Sequence, residues 1–327
     1  MNPGAVGDPE IAALIQSARA QDRMVAAELL GRMPANADQA LRDQRWSRLD
    51  GMLSAELAGG GDATVIAAVA TAFQHLEDVR ALPSLQALAV HPCASVRFAV
   101  AGSIPAACGY RALAEAVASL VRLAGDEDAD VRDWSCFGLG QLNADGPEVR
   151  EALAARLDDE HPDTRGEALV ALAKTGDPRA YATLAERLGA GDPWTLEIEA
   201  AAELADTRLY PVLRGLAGEW ADDDDDESFR ALLERAIARC DPRRRPAAKA
   251  MEARLAAGLA GELASSGRTV LVTGEFPGTR LVVLGADGRT ELMNDRIWDY
   301  TDPLDFNVEQ ERDSYLLTLS AVPLPDR

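Results

Sequence analysis

The feature that most constrains this chain is a repeat of about 33 residues in its middle part. An apolar residue or threonine begins each unit of the pattern, and arginine follows it in four of the units. The residues four, seven and eight places further on are apolar or small, with Glu203 as the clear exception. The six reference positions, spaced 31, 35, 33, 32 and 33 residues apart, are Val65, Val96, Val131, Thr164, Leu196 and Phe229.

Positions 0, +4, +7 and +8 form one face of an α-helix, so each unit is predicted to contain a helix with one apolar side. A polar turn rich in proline and aspartate precedes it, and these residues end one helix and cap the next. An earlier helix is predicted before each turn. These first helices are expected at Leu85–Val90, Ala112–Leu123, Glu148–Leu157, Ala180–Leu188 and Leu209–Leu216.

The best-conforming segments are Asp128–Gly140 and Asp163–Leu172, which read as aspartate, then valine or threonine followed by arginine, then small residues and leucine. Over about residues 62–245 the pattern resembles HEAT repeats, including the bacterial HEAT-like repeats of phycobilisome-lyase-type proteins. The resemblance implies a mainly α fold, a HEAT-like α–α superhelix. It also implies a protein-binding scaffold, since HEAT-type solenoids chiefly bind proteins.

The two ends of the chain differ from the repeats. Residues 1–61 are predicted to be a divergent helical cap, with helices from Asp8, at 22–33 and at 38–58, followed by the loop Gly59–Gly61. The repeats then occupy 62–246, and a final helix occupies 247–266. Residues 267–327 are predicted to form a small β-rich domain with a hairpin turn at Ala286–Arg289. Its strands are expected at Thr269–Thr273, Arg280–Leu284, Thr290–Met293 and Tyr315–Ser320.

The charge of the chain restricts its partners. Fifty-four acidic and 33 basic residues give a formal net charge of −21. Phosphate backbones and anionic membranes need a positive surface, so neither nucleic acid nor a membrane is expected as a partner. A basic protein is compatible with this charge. We see no signal peptide and no long apolar run, so a cytoplasmic location is expected.

One helix carries the candidate binding surface. Trp134, Phe137 and Gln141 share a face that is offset from the apolar core stripe. Exposed aromatic residues anchor protein interfaces well. The alternative is that both rings pack between repeats. The polar residues Asp133, Glu167 and Lys174 are assigned to the same predicted surface.

Two further segments are candidate contact sites. The acidic run Asp222–Asp226, with Asp224 and Asp226 as the chosen residues, either binds a basic partner or is a solvated helix entry. It lacks the glycine and glutamate of a calcium loop. Trp298 lies in an acidic–aromatic loop that is either a packed turn or a contact. His91 and Cys93 alone do not make a zinc site, so no metal or cofactor is expected.

The recurring arginines Arg97, Arg132, Arg165 and Arg230 are predicted to be structural. We expect them to join neighbouring repeats through carboxylates such as Asp130 or Asp163.

The sequence therefore predicts a non-catalytic scaffold or adaptor whose acidic concave surface binds a basic protein, with an immunity-type inhibitor as a specific form. No nucleophile motif or phosphate loop is apparent. The alternative is a HEAT-like enzyme, either a bilin lyase-type subunit or a DNA glycosylase. A glycosylase would need a basic groove, and acidic residues outnumber basic ones here.

Overall fold

The computed structural model describes residues 8–32, 38–219, 227–243 and three strands within 269–291. Backbone contacts divide the chain into two compact units, Met1–Leu204 and Ala205–Arg327. This division falls inside the predicted repeat range, and the predicted domain boundaries stay predictions. The final helix at 247–266 and the strand at Tyr315–Ser320 lie outside the described residues.

The first unit consists of helical hairpins, which confirms the predicted mainly α superhelix. In each hairpin a first helix pairs with a second helix that follows it in the chain. A 3-10 turn, Val79–Ala81, leads into α5. The helices are α1 (Asp8–Ile15), α2 (Ala20–Gly31), α3 (Gln39–Ala58), α4 (Ala63–Leu76), α5 (Leu82–Leu88), α6 (Ala94–Ala107), α7 (Ala114–Leu123), α8 (Ala129–Gln141), α9 (Pro147–Ala154), α10 (Pro162–Lys174), α11 (Pro178–Gly189) and α12 (Thr195–Leu204).

Local sequence explains where many of these helices begin. Aspartate accepts hydrogen bonds from the free backbone N–H groups of the first turn, as Asp128 does from Asp130 and Val131 at 3.1 and 3.2 Å. Proline occupies the first turn of α10 and α11, where no N–H partner is lost. The predicted helix starts therefore agree closely with the structure.

The reference positions of the repeat share one environment. Val96, Val131 and Thr164 are all fully buried, as are the residues four places further on. The second helices pack against one another from α2 to α12, whereas the first helices contact one another much less. We call the second helices α2, α4, α6, α8, α10 and α12 the inner layer. The continuous apolar spine predicted from the period is confirmed within this unit.

Small residues allow the inner helices to approach closely. A Cβ atom on Gly31 would lie 3.1 Å from Cα of Ala72. On Gly166 it would lie 2.4 Å from Cδ1 and 2.8 Å from Cβ of Leu196. Such distances are below van der Waals contact, so glycine at these sites sets the spacing between repeats.

Alanine substitutions at two helical glycines should have opposite effects. Gly166→Ala should destabilise the fold by about 1–3 kcal/mol because it overpacks the α10–α12 contact. Gly51→Ala in α3 should stabilise it by up to about 1 kcal/mol, because a Cβ there meets nothing within 4 Å and alanine favours helix. Urea unfolding measures both. Equal effects of the two substitutions would contradict the assigned close contact.

Two of the recurring arginines, Arg97 and Arg132, join neighbouring repeats, but through other carboxylates than predicted, whereas Arg165 donates to the carbonyl oxygens of Asp159 and Glu160. Arg97 binds Asp126 with its Nε and Nη2 atoms at 2.7 and 2.8 Å. Arg132 binds Asp159 in the same way at 2.8 and 2.7 Å. The expectation of Asp130 or Asp163 was wrong.

The reason lies in the turns. Asp126 and Asp159 belong to the turn before the next inner helix, within reach of the preceding repeat. Asp130 and Asp163 lie exposed in the first helical turn. Each guanidinium also donates from Nη1 to two carbonyl groups of its own turn, His91 and Pro92 in the case of Arg97.

The second unit contains a 3-10 turn (Thr207–Leu209), α13 (Tyr210–Glu219), α14 (Glu227–Cys240) and three strands. These are β1 (Thr269–Thr273), β2 (Arg280–Gly285) and β3 (Gly288–Glu291), an antiparallel sheet in the order β1-β2-β3. Val283 pairs with Val270 on one side and Thr290 on the other. The predicted hairpin is therefore present, although β3 already begins at Gly288.

Candidate partner-binding surface

Three aromatic rings lie side by side on the inner layer. The ring centroids of Phe98 and Trp134 are 5.5 Å apart, and those of Trp134 and Phe137 are 5.6 Å apart, both edge to face. Phe98 is 38% exposed and Trp134 is 36% exposed. We call these three residues the aromatic cluster. It offers accessible ring surface where most large apolar side chains of the unit are buried.

Close packing holds the central ring in place. Trp134 lies over Gly102 of α6, where a Cβ atom would stand 3.3 Å from its Cε3 atom. Trp134 thus packs on the preceding repeat and still keeps part of its surface open. Such an anchor needs little ordering when a partner binds, which lowers the entropic cost of association.

Two carboxylates of the inner layer follow the cluster in the repeat: Asp133 directly precedes Trp134 in α8, and its charge acts on Glu167 of α10. Asp133 and Glu167 are half-buried on the adjacent helices α8 and α10. The Oδ1 atom of Asp133 is buried and has no hydrogen-bond partner among the described residues. Together with Glu199 of α12, which acts electrostatically on Glu167, these residues are called here the acidic cluster.

The protonation of this cluster is unusual. Burial, then the charges of Asp163 and Asp130, raise the pKa of Asp133 to about 6, against an opposing effect of His161. Burial, then the charges of Asp133 and Glu199, raise the pKa of Glu167 to about 7, although Lys174 opposes this. Near neutral pH the pair is therefore only partly ionised.

The other predicted surface residues on these helices lie towards the helix ends. Gln141 is half-buried at the last residue of α8. Lys174 is exposed, and its Nζ atom donates to the carbonyl oxygen of Gly140 at 3.4 Å. Asp224, Asp226 and Trp298 lie outside the described residues, so their predicted role as contact sites stays a prediction.

Phe98 and Glu199 were missed at the sequence level. Glu199 occupies in α12 the place of Glu167 in α10, three residues after the reference position. Phe98 lies two residues after Val96, where Asp133 lies after Val131. Comparing repeats at these outward positions could have found both residues.

The helices and strands that the structure describes show no metal site and no membrane span. No group of three or more His, Cys, Asp or Glu side chains among them could hold a metal ion. No helix in that part of the chain is long and apolar enough to cross a membrane. Cys108 and Cys136 are fully buried, and burial raises the pKa of both thiols.

Comparison with known proteins agrees with this architecture. Residues 117–205 match the family model of HEAT repeats. The matched range covers the hairpins α7–α8, α9–α10 and α11–α12, which hold most of the surface described above. Residues 117–205 therefore match HEAT repeats in sequence, and the helical hairpins of the first unit have the corresponding fold.

Protein YibA of Escherichia coli K12 is 30% identical over 116 residues, which make up 36% of this chain and 40% of YibA. The chain thus matches about two fifths of this curated relative. The crystal structure of YibA superposes with a TM-score of 0.54 at 21% identity, over 71% of this chain and 82% of YibA, a likeness that shows the fold alone. The CpcE–CpcF complex of phycocyanin lyase from Nostoc sp. PCC7120 matches with a TM-score of 0.45 at 16% identity, over 73% of this chain and 97% of that one.

Proposed function

We propose that this chain is a non-catalytic, cytoplasmic protein-binding scaffold whose inner helical layer holds a basic partner. The observation that carries the proposal is the aromatic cluster on α6 and α8, with the acidic cluster on α8, α10 and α12 of the same helical layer. Rigid aromatic residues with a charged flank are the usual energetic centre of a protein interface.

The charge of the chain supports a basic partner. A net charge of −21 attracts basic proteins over a distance and repels nucleic acid and anionic lipid. The half-buried carboxylates add a short-range preference for cationic side chains. An immunity-type inhibitor of a basic toxin is one form that such a scaffold can take.

The proposal is tested by affinity capture with three forms of the full chain. The wild type, Trp134→Ala/Phe137→Ala and Trp194→Ala are immobilised, and bound proteins are identified by mass spectrometry. Trp194 is the matched control, because it is 55% exposed but lies in the turn before α12. A captured protein is then purified, and its Kd is measured at low and high salt.

We expect one basic protein to bind the wild type and the Trp194 variant equally. The double variant should bind it at least about 30-fold more weakly, the usual loss at an interface hot spot of about 2 kcal/mol. The affinity should also fall with salt. The proposal would be contradicted by a partner that binds the double variant as tightly as the wild type. A partner whose Kd does not change with salt would also contradict it.

A further inference from the structure

We infer that the partner places a cationic side chain, arginine or lysine, against the aromatic cluster and between the carboxylates of Asp133 and Glu167, and that this contact releases protons. The inference rests on the proposed function and specifies the chemistry of the partner.

Elsewhere in the first unit, buried carboxylates are paired with arginine. The closest N–O distances of these ion pairs are 2.5–2.8 Å. A buried carboxylate is costly without such a partner, since burial disfavours the charged form. The pairs are Glu56–Arg23, Asp126–Arg97, Asp159–Arg132 and Asp177–Arg179.

Asp133 and Glu167 depart from this rule. In the described part of the chain neither carboxylate has an ion pair, and the Oδ1 atom of Asp133 is buried without a hydrogen bond. Lys174 acts on Glu167 only at a distance, and its ammonium group is directed to the carbonyl oxygen of Gly140.

The surroundings of the pair are strongly acidic. The groups that act on it come from α8, α10, α12 and the turn before α10. With the pair included, five of the seven charged or titratable residues involved are acids. The seven are Asp130, Asp133, Asp163, Glu167, Glu199, His161 and Lys174. A positive charge brought here by a partner is therefore favoured over a neutral or negative group.

The same chemistry occurs once within the described part of the chain. The guanidinium carbon of Arg80 lies 4.6 Å from the centroid of the Trp46 ring. Arg80 also bonds to the carboxylates of Asp78 and Asp43. A tryptophan of α3 and two carboxylates thus hold the arginine of the 3-10 turn that follows α4. Trp134 with Asp133 and Glu167 offers this combination to an external cation.

Proton release follows from the same electrostatics. At neutral pH the pair is still partly protonated, mainly at Glu167, because His161 and Lys174 offset its buried charge only in part. An arriving guanidinium stabilises both ionised carboxylates, so the protons leave as it binds. Affinity should therefore rise between pH 6 and pH 8, opposite to the effect expected if the cation itself lost its charge.

A defined probe tests the inference without knowledge of the partner. N-acetyl-arginine amide and its neutral isostere N-acetyl-citrulline amide are titrated to 50 mM into the ¹⁵N-labelled full chain. The indole N–H signal of Trp134, assigned with Trp134→Phe, reports binding. The arginine probe should shift this signal, with an affinity about tenfold higher at pH 8 than at pH 6, and the citrulline probe should not.

Variants complete the test. Asp133→Asn/Glu167→Gln should abolish the shift and its pH dependence. Glu28→Gln/Glu186→Gln, which removes two exposed carboxylates, should leave both intact. The inference would be overturned if both probes shifted the Trp134 signal equally or if the arginine probe did not shift it. It would also be overturned if the arginine probe bound the Asn/Gln variant as it binds the wild type.

Binding measurements with a captured partner distinguish the scaffold proposal from the cation-site proposal. If it loses affinity for Trp134→Ala/Phe137→Ala but not for Asp133→Asn/Glu167→Gln, the scaffold proposal stands and the cation site falls. If neither variant weakens binding, the scaffold proposal itself falls.

Discussion

Replacing Arg132 by methionine should lower the free energy of unfolding by about 3 kcal/mol. The Arg132–Asp159 pair is nearly inaccessible, with side chains 7% and 3% exposed. Removing one member of a buried ion pair leaves the other charge uncompensated, at a usual cost of about 3–5 kcal/mol. The expected cost lies at the lower end of this range because Arg156 stays 3.2 Å from Asp159 and partly compensates its charge. Urea denaturation followed by circular dichroism measures the change.

A matched arginine provides the control. Arg150 binds Asp145 at 2.6 Å, but these side chains are 32% and 52% exposed. Exposed pairs contribute little, so Arg150→Met should cost no more than about 1 kcal/mol. If Arg132→Met cost as little as Arg150→Met, the arginine would not join the repeats as the structure indicates.

Acid should weaken the Arg132–Asp159 ion pair. Burial raises the pKa of Asp159, but hydrogen bonds from Arg132 and from the backbone of His161 more than offset this, and the net pKa lies below its ordinary value. A lowered pKa means that the stabilisation is present above the ordinary carboxylate range and is lost as pH falls below it. Arg132→Met should therefore lose part of the acid sensitivity of the wild type below about pH 4.

Neutralising the carboxylates of Asp133 and Glu167 should stabilise the fold. Asp133→Asn/Glu167→Gln should raise the free energy of unfolding at pH 8 by about 2–4 kcal/mol. The two pKa values are about 6 and about 7 in the folded chain, above their ordinary values of 3.8 and 4.5. A tenfold change in a proton-dissociation constant corresponds to about 1.4 kcal/mol, and the effect is reduced here because both side chains are partly exposed.

The sign of the pH dependence follows from the raised values. The folded chain binds more protons than the unfolded chain between about pH 4 and pH 7, so stability falls as pH rises through this window. The Asn/Gln variant should lose most of this slope. Glu28→Gln/Glu186→Gln, with the same change in net charge at exposed sites, should retain it. The unfolding free energy is measured by urea titration from pH 5 to 8. If its slope with pH were the same in the wild type and the Asn/Gln variant, Asp133 and Glu167 would not cause the slope.

Much of the fold could be predicted because periodicity reports directly on burial. Val96, Val131 and Thr164 recur at nearly constant spacing because each fills the same place in successive hairpins. The turn before β3 could also be predicted from the sequence, since Asp-Gly suits a tight hairpin. A recurring Asp-x-Arg turn was readable in the same way but was not predicted. Asp78 and Asp177, for example, each cap a helix start and bind the arginine two residues later.

The candidate surface could be predicted only in part. The helical spacing placed Trp134 and Phe137 on one face, but it could not bring in Phe98 or Glu199 from other repeats. The register between neighbouring helices decides which side chains meet, and this register depends on close contacts such as Gly102 beneath Trp134. Spacing within one helix contains no such information.

The sequence by itself determined the repeat, the helices and the side of each helix that is buried, because these depend on local spacing and on the transfer of apolar groups out of water. Tertiary structure alone decided that Arg97 and Arg132 reach Asp126 and Asp159, and that Asp133 and Glu167 share a site without an arginine. Those outcomes depend on distances between repeats, and electrostatic energy is set by such distances and by burial.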